Sequence, residues 1–257
     1  MSRLGSMAFF LLMLLGALIF CVPAYAAPVE KIKTANSCVR CHSRLPLSSF
    51  VGAKSHSFQG SVHQKHGVTC DKCHGGNPKA GTEKQAHVGV LPSTNPASPI
   101  YYTNIPATCG KCHGAEYYKF TQSVHYQMLK TKGEGPVCTT CHGSMVTTVP
   151  SPDDVKAVCV RCHNGRMGIY PYVPQEAKAM LLLLRESQAL LDADARLYHP
   201  AKGSAEVFYL RNAETSFYSA KLDWHKFDFG SITEHLLNMY NNLEKMSTEG
   251  RAGAHKR

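Results

Sequence analysis

The stretch Cys38-Val39-Arg40-Cys41-His42 decides how this chain must fold, because its spacing recurs four more times. Each copy has two cysteines separated by two residues, with a histidine directly after the second cysteine. The other copies are Cys70, Cys73 and His74; Cys109, Cys112 and His113; Cys138, Cys141 and His142; and Cys159, Cys162 and His163. We number the five copies motifs 1 to 5 in chain order. They use all but one of the 11 cysteines, and the remaining Cys21 lies near the N-terminus.

Cys-x-x-Cys-His is the attachment signature of haem c. Both thiols form thioether bonds to the haem vinyl groups, and the adjacent imidazole is the proximal ligand of the iron. A zinc knuckle, a redox dithiol or a disulfide needs no histidine at that position, and histidine fills only 14 of 257 positions. The sequence therefore predicts five covalent haem c groups on the ten motif cysteines. The predicted proximal ligands are His42, His74, His113, His142 and His163.

The N-terminal segment has the pattern of a secretory signal peptide. Arg3 precedes an apolar run from Ala8 to Val22, and the small-residue pattern Ala24-Tyr25-Ala26 follows. We expect cleavage after Ala26 and a periplasmic or otherwise exported protein. The run of about fifteen residues is shorter than the roughly 20 that span a bilayer. An uncleaved anchor beginning at Met7 is the alternative, and it would associate the protein with a membrane.

The close spacing of the motifs along the chain limits the kind of fold that it can form. All five lie between Cys38 and His163, which leaves roughly 25 residues per haem. So short a chain cannot build an ordinary core around each macrocycle, so the haems must form most of the interior and lie close together. We predict a mainly α fold with much irregular structure around a stacked haem core, with short helices after the motifs. The predicted divisions are a signal peptide (1–26), a pentahaem-binding domain (27–170), a C-terminal helical region (171–250) and a basic tail (251–257).

Apolar periodicity predicts the longer helices. One covers Glu116 to Lys130 and would present His125. Beyond the last motif, helices are predicted from Gln175 to Tyr198 and from about Ala205 to Leu222. A third would start at a capping box formed by Ser231 and Glu234. We expect this region to cover the haems, to form a dimer face, or both.

The second axial ligand of each iron separates an electron carrier from a catalyst, because an open position admits substrate. Nine histidines lie outside the motifs, more than five irons need. This surplus favours histidine on both sides of every iron. His63 and His125 are the strongest candidates, because each follows Ser-Val in two repeated units. The further candidates are His66, His87, His56, His225 and His235.

The formal net charge of +10 does not indicate nucleic-acid binding. The haem propionates would balance much of it, leaving roughly +4 oxidised and −1 reduced after removal of the leader. The chain has no long basic run and no RNA-binding signature. We therefore expect redox proteins as partners and no nucleic acid.

A family resemblance rests on motifs 3 and 4 and the residues between them. The residues are Cys109-Gly110-Lys111-Cys112-His113, Tyr118, Phe120, Ser123-Val124-His125 and Cys138-Thr139-Thr140-Cys141-His142-Gly143. The chain resembles the multihaem cytochromes that include cytochrome c554, the hydroxylamine oxidoreductase group and the NapC/NrfH-type quinol-oxidising cytochromes. The resemblance covers roughly Ser37 to Asn164. It implies haems stacked in parallel and perpendicular pairs, with His63 and His125 as distal ligands of neighbouring haems.

Departures from that class guide the functional expectation. Every motif ends in histidine, whereas pentahaem nitrite reductases usually carry lysine at the catalytic haem, and octahaem enzymes have eight sites. We expect an electron carrier between a membrane quinol-oxidising complex and a terminal reductase or other cytochromes, with no substrate and no catalytic residue of its own. One alternative is a small reductase of nitrite, hydroxylamine or a sulfur oxyanion with one five-coordinate haem. Another is a subunit of a conductive oligomer or filament joined through the C-terminal helices.

Overall fold

A computed structural model describes residues 36–166, 168, 170–198 and 202–254 of the chain. The predicted signal peptide and its cleavage site lie outside these residues. Helices joined by turns and irregular segments make up the described part, which contains no β-strand. This confirms the predicted mainly α fold class. Within the same part of the chain, no helix is both long enough and apolar enough to cross a membrane.

The backbone separates into two compact units. Among the described residues, the first unit comprises 36–71 and 77–88, and the second comprises 72–76 and 89–254. Helices of the first unit are α1 (Ser37–His42), α2 (Phe50–Gln59), α3 (Val62–Lys65) and α5 (Glu83–Ala86), while α4 (Cys70–His74) begins in the first unit and ends in the second. The predicted boundary between the pentahaem-binding domain (27–170) and the C-terminal helical region (171–250) stays a prediction.

The second unit holds the remaining helices. They are α6 (Ile105–Gly110), α7 (Gly114–Thr121), α8 (Val124–Lys132), α9 (Cys138–His142), α10 (Pro152–Val160), α11 (Val173–Tyr198), α12 (Ala205–Asp223) and α13 (Phe229–Ala254). Two 3-10 turns, Tyr102–Asn104 and Trp224–Lys226, precede α6 and join α12 to α13. We call residues 223–227, which contain the second turn, the corner.

The three long helices α11, α12 and α13 form a bundle. The start of α12 meets the end of α13, where the Tyr209 hydroxyl donates to Glu249 Oε1 at 3.1 Å, so the two helices run antiparallel. Ser187 on α11 and Tyr240 on α13 are hydrogen-bonded at 2.9 Å. Apolar side chains on the facing sides form the core. Its buried members are Leu184, Leu191, Ala213, Phe217, Ala220, Ile232, Leu236, Met239, Leu243 and Met246.

The predicted single helix over 116–130 is wrong, because the structure divides it into α7 and α8. Ser123 interrupts the helix with an extended backbone (φ −81°, ψ 153°), and its hydroxyl accepts from the Tyr126 N–H at 3.1 Å. Serine is a strong N-cap and a weak helix former, so its side chain starts a new helix at this point.

The predicted start of the third bundle helix is also wrong, by a few residues. Asp228, and not Ser231, caps α13, since its Oδ1 accepts from the Ser231 N–H at 3.1 Å. Both residue types cap well, so the sequence offers two competing starts. The other two bundle helices are confirmed, with α11 beginning at Val173 and α12 ending at Asp223.

Candidate haem-binding sites

Every motif lies on a turn of helix. Motifs 1, 2 and 4 lie within α1, α4 and α9, a placement that the prediction of short helices after the motifs did not include. In motifs 3 and 5 the first cysteine is the next-to-last residue of a helix, and the His113 and His163 N–H groups still bond to the Cys109 and Cys159 carbonyls at 2.9 and 2.8 Å. Positions i, i+3 and i+4 share one helix face. One turn therefore presents two thiols and an imidazole on the same side.

The two cysteines of a motif differ in how far the polypeptide encloses them, which the sequence did not predict. The first cysteine is half-buried in every motif, as is the second cysteine of motif 4, Cys141. The second cysteines of the other four motifs are exposed on the polypeptide surface. They are Cys41, Cys73, Cys112 and Cys162. The reason is local, because the second cysteine lies three residues further along a short helical turn that few other segments of the chain cover. The role of all ten cysteines in haem attachment stays a prediction.

The repeated Ser-Val-His sequence has one local structure in both places. Ser61 and Ser123 are buried N-caps, with side-chain oxygens that accept from the N–H three residues later at 3.1 Å. His63 and His125 consequently occupy the second position of α3 and of α8. The serine thus fixes the helix start, and the helix start fixes where the histidine projects.

In the first unit, the proximal residue of motif 1 faces His87. The ring centroids of His42 and His87 are 5.9 Å apart, and their planes are inclined by 26°. His87 follows the last residue of α5, and its Nδ1–H donates to the Glu83 carbonyl at 2.9 Å. Burial and, to a smaller extent, the neighbouring His87 lower the pKa of His42.

In the second unit, the proximal residue of motif 4 faces His225. The ring centroids of His142 and His225 are 6.4 Å apart with an interplanar angle of 14°. Each ring donates through Nδ1–H to a backbone carbonyl, His142 to Thr148 at 2.9 Å and His225 to Lys221 at 3.2 Å. Burial, followed by proximity to His142, lowers the pKa of His225.

Also in the second unit, the proximal residue of motif 5 faces His125. The ring centroids of His125 and His163 are 5.9 Å apart, and the rings are nearly perpendicular at 81°. Burial, with a smaller contribution from His163, lowers the pKa of His125 to about 4. An imidazole must be neutral to bind a metal, so these depressed pKa values suit a ligand.

The centroid separations of the three pairs match those of two imidazoles bound to one iron. A metal–imidazole nitrogen bond is about 2.0 Å long and the ring centroid lies about 1 Å beyond, so two rings on opposite sides of an iron have centroids about 6 Å apart. Rotation of each ring about the bond axis leaves the interplanar angle free. Where Nδ1–H donates to a carbonyl, the lone pair on Nε2 is the one available to the metal.

Neighbouring motifs of the second unit have adjacent thiols. A hydrogen bond between Cys109 and Cys138 raises the pKa of the Cys109 thiol and lowers that of Cys138. Burial, with a smaller contribution from Cys159, raises the pKa of Cys141 to about 11. Motif 3 therefore adjoins motif 4, and motif 4 adjoins motif 5. Thioether bonds to haem would leave these cysteines without a titratable thiol, but the motifs would remain adjacent.

The other predicted ligands are placed differently. His235 on α13 directs Nε2, the atom usually given to a metal, toward Asp223 Oδ2 at 3.1 Å. His56 on α2 and His66 after α3 are exposed, and His63 is half-buried. Their roles stay predictions, as do the distal partners of His74 and His113.

Sequence reasoning missed three residues around His225 and His125. Asp223 is buried and pairs with Lys119 on α7, and Phe227 lies with its ring centroid 4.4 Å from that of His125. Sequence reasoning named His225 and neither Asp223 nor Phe227. No periodicity marks an acidic residue at a helix end as buried, so nothing in the pattern identified it.

Comparison with known proteins supports the haem assignment at both ends of the motif region. Residues 98–164 match the family model of cytochrome c7 and related cytochrome c, and residues 23–75 match that of cytochrome c554 and c-prime. No curated protein and no solved structure matches the chain. Such families bind haem c covalently and transfer electrons. The repeated Cys-x-x-Cys-His motifs and the two matches make this chain a multihaem c-type cytochrome.

Proposed function

We propose that this chain is a periplasmic pentahaem electron carrier, which relays electrons from a membrane quinol-oxidising complex to a terminal reductase or another cytochrome. Each haem, when bound, supplies a one-electron Fe(III)/Fe(II) couple. The chain's own residues would attach the five groups through the motif cysteines, bind the irons through histidines and set the spacing between attachment sites.

The three histidine pairs are the observation on which the proposal rests. His42 with His87, His142 with His225, and His125 with His163 have the spacing of bis-histidine ligation. We assign them to motifs 1, 4 and 5. A histidine on each side leaves no position for a substrate, which favours transfer of electrons over chemistry at those sites.

The adjacency of attachment positions supports a relay. Cys109 is hydrogen-bonded to Cys138, and Cys141 is close enough to Cys159 for their charges to interact. Motifs 3, 4 and 5 therefore form a continuous series within the second unit. We propose further distal ligands among His63, His66, His56 and His235, with His63 preferred because it shares the helix position of His125.

The test is to purify the holoprotein, measure its mass and haem content, and record a low-temperature EPR spectrum of the oxidised form. The mass should equal a chain beginning at Ala27 with five haems, and all haems should be low-spin. Parallel imidazole planes give a rhombic low-spin spectrum, whereas perpendicular planes give a single strongly shifted feature. We expect the strongly shifted feature for motif 5 and rhombic signals for motifs 1 and 4.

A high-spin haem that binds nitrite or hydroxylamine, with turnover by reduced dye, would overturn the carrier proposal in favour of a small reductase. A mass that includes residues 1–26 would indicate a membrane-anchored carrier instead of a freely diffusing one.

A further inference from the structure

We propose that the corner, residues 223–227, is a shared support that positions the distal ligands of two neighbouring haems, those of motifs 4 and 5. The inference rests on the ligand pairs proposed above. Asp223 and Phe227 act in it as positioning residues, Asp223 for His225 and Phe227 for His125.

Asp223 fixes the corner to two other helices. Its side chain is 5% exposed, and its carboxylate accepts from Lys119 Nζ on α7 and from His235 Nε2 on α13. A buried carboxylate is tolerated only where such partners compensate its lost hydration. The geometry of the end of α12 is therefore set by an ion pair with Lys119 and a hydrogen bond from His235.

His225 lies two residues after this anchor. Its ring is held from behind by the bond from Nδ1–H to the Lys221 carbonyl and faces His142 across 6.4 Å. The 3-10 turn Trp224–Lys226 gives the chain little freedom between Asp223 and His225. Displacing Asp223 must therefore move the imidazole relative to the motif 4 attachment site.

Phe227, the last residue of the corner, has a strained backbone conformation that surrounding contacts must stabilise. It has φ 61° and ψ 34°, the left-handed region that non-glycine residues rarely adopt. This conformation directs its ring edge-on to His125, with centroids 4.4 Å apart, and toward Phe120 at 6.4 Å. The contact limits rotation of the His125 ring and so favours the perpendicular arrangement with His163.

The corner thus positions His225 and contacts His125. A corner tied to α7 and α13 keeps both imidazoles at fixed distances and angles through changes of oxidation state. The two ligand sites would share this support, since Cys141 of motif 4 and Cys159 of motif 5 are close enough for their charges to interact.

The test compares low-temperature EPR spectra of the oxidised, full-length holoprotein across variants. Phe227→Gly removes the ring but suits the left-handed backbone, so it isolates the ring's contribution. We expect the strongly shifted signal of motif 5 to move toward a rhombic form, and Phe227→Tyr to retain it. A Phe227→Gly spectrum identical to that of the wild type would overturn the role of Phe227.

Asp223→Asn should convert part of the motif 4 haem to high spin or shift its rhombic signal. Asp153→Asn is the control, because Asp153 also pairs with a lysine, Lys178, and neither residue belongs to the corner. If Asp223→Asn does not yield folded protein, Lys119→Met tests the same support from α7 and should shift the same signal. Signals unchanged in both folded variants would overturn the role of Asp223.

His225→Ala separates this inference from the proposed function. If it converts the motif 4 haem to high spin while Asp223→Asn changes nothing, the ligand pairing holds and the support fails. If it leaves every haem low-spin, the pairing itself is wrong.

Discussion

The motif 1 site in the first unit and the motif 4 site in the second have nearly the same local geometry and very different support. In both, the proposed distal histidine follows a helix and its Nδ1–H donates to the carbonyl four residues earlier, Glu83 for His87 and Lys221 for His225. The helix is four residues long and exposed for His87, but 19 residues long and part of a packed bundle for His225. Ligand geometry is thus a property of one helical turn, whereas burial comes from tertiary packing.

The largest expected effect comes from removing each distal ligand and supplying imidazole in solution. His87→Gly and His225→Gly should each convert one haem to high spin, and imidazole should restore the low-spin spectrum in both. We expect rescue to be roughly tenfold or more faster at position 87, since access at 225 requires opening the corner, at a cost of about 1.4 kcal/mol or more. Stopped-flow absorbance measures both rates. Equal rates would remove the distinction between an exposed and an enclosed site.

Weakening the bundle should affect the motif 4 site and spare motif 1. Leu236 is 2% exposed in the bundle core, so Leu236→Ala should lower the free energy of unfolding of the bundle by about 3 kcal/mol. Leu237 is 58% exposed, and Leu237→Ala should cost less than about 0.5 kcal/mol. Denaturation followed by circular dichroism gives the free energies, and EPR should show loss of the motif 4 signal first. Simultaneous loss of the motif 1 signal would contradict the comparison.

Sequence reasoning reached the covalent sites more readily than the support around them. The five motifs and the bundle helices follow from spacing and periodicity, since attachment and helix formation are decided within a few residues. His87 and His225 were among seven candidates, but their partners depend on how distant segments pack. At Ser123 and at Asp228, a helix starts at a residue that caps well. Intrinsic propensity alone cannot decide which of several possible cap residues starts the helix. No sequence pattern identified Asp223 or Phe227, because their roles come from tertiary contacts.

The two serine caps offer a smaller test on the repeated units. Ser61→Ala and Ser123→Ala should each lower the free energy of unfolding by about 1 kcal/mol, because each leaves a helix N–H without its side-chain acceptor. Ser123→Ala should also shift the motif 5 EPR signal, since His125 is two residues further along the chain. Ser57→Ala is the control, because its exposed hydroxyl bonds only within α2. A control effect as large as those of the caps would show that serine loss, and not capping, is measured.

The smallest expected effect concerns Asp228, which caps the helix leading out of the corner. Hydrogen bonds from Lys226 and Ser231 lower the pKa of Asp228 from its ordinary value of 3.8 to about 2. The ionised carboxylate therefore stabilises the folded state, fully above about pH 4, and this contribution is lost as the pH falls toward 2. Asp228→Ala should cost about 1 kcal/mol at pH 7 through the lost cap.

Asp228→Asn should cost only a few tenths of a kcal/mol, because asparagine caps equally well and a partly exposed ion pair with Lys226 contributes little. The gap in stability between wild type and Asp228→Ala should narrow as the pH falls from 4 to 2, since the wild type loses its carboxylate there. Denaturant titrations at the two pH values measure that gap. A gap that stays constant would assign the effect to packing of the side chain and not to its charge.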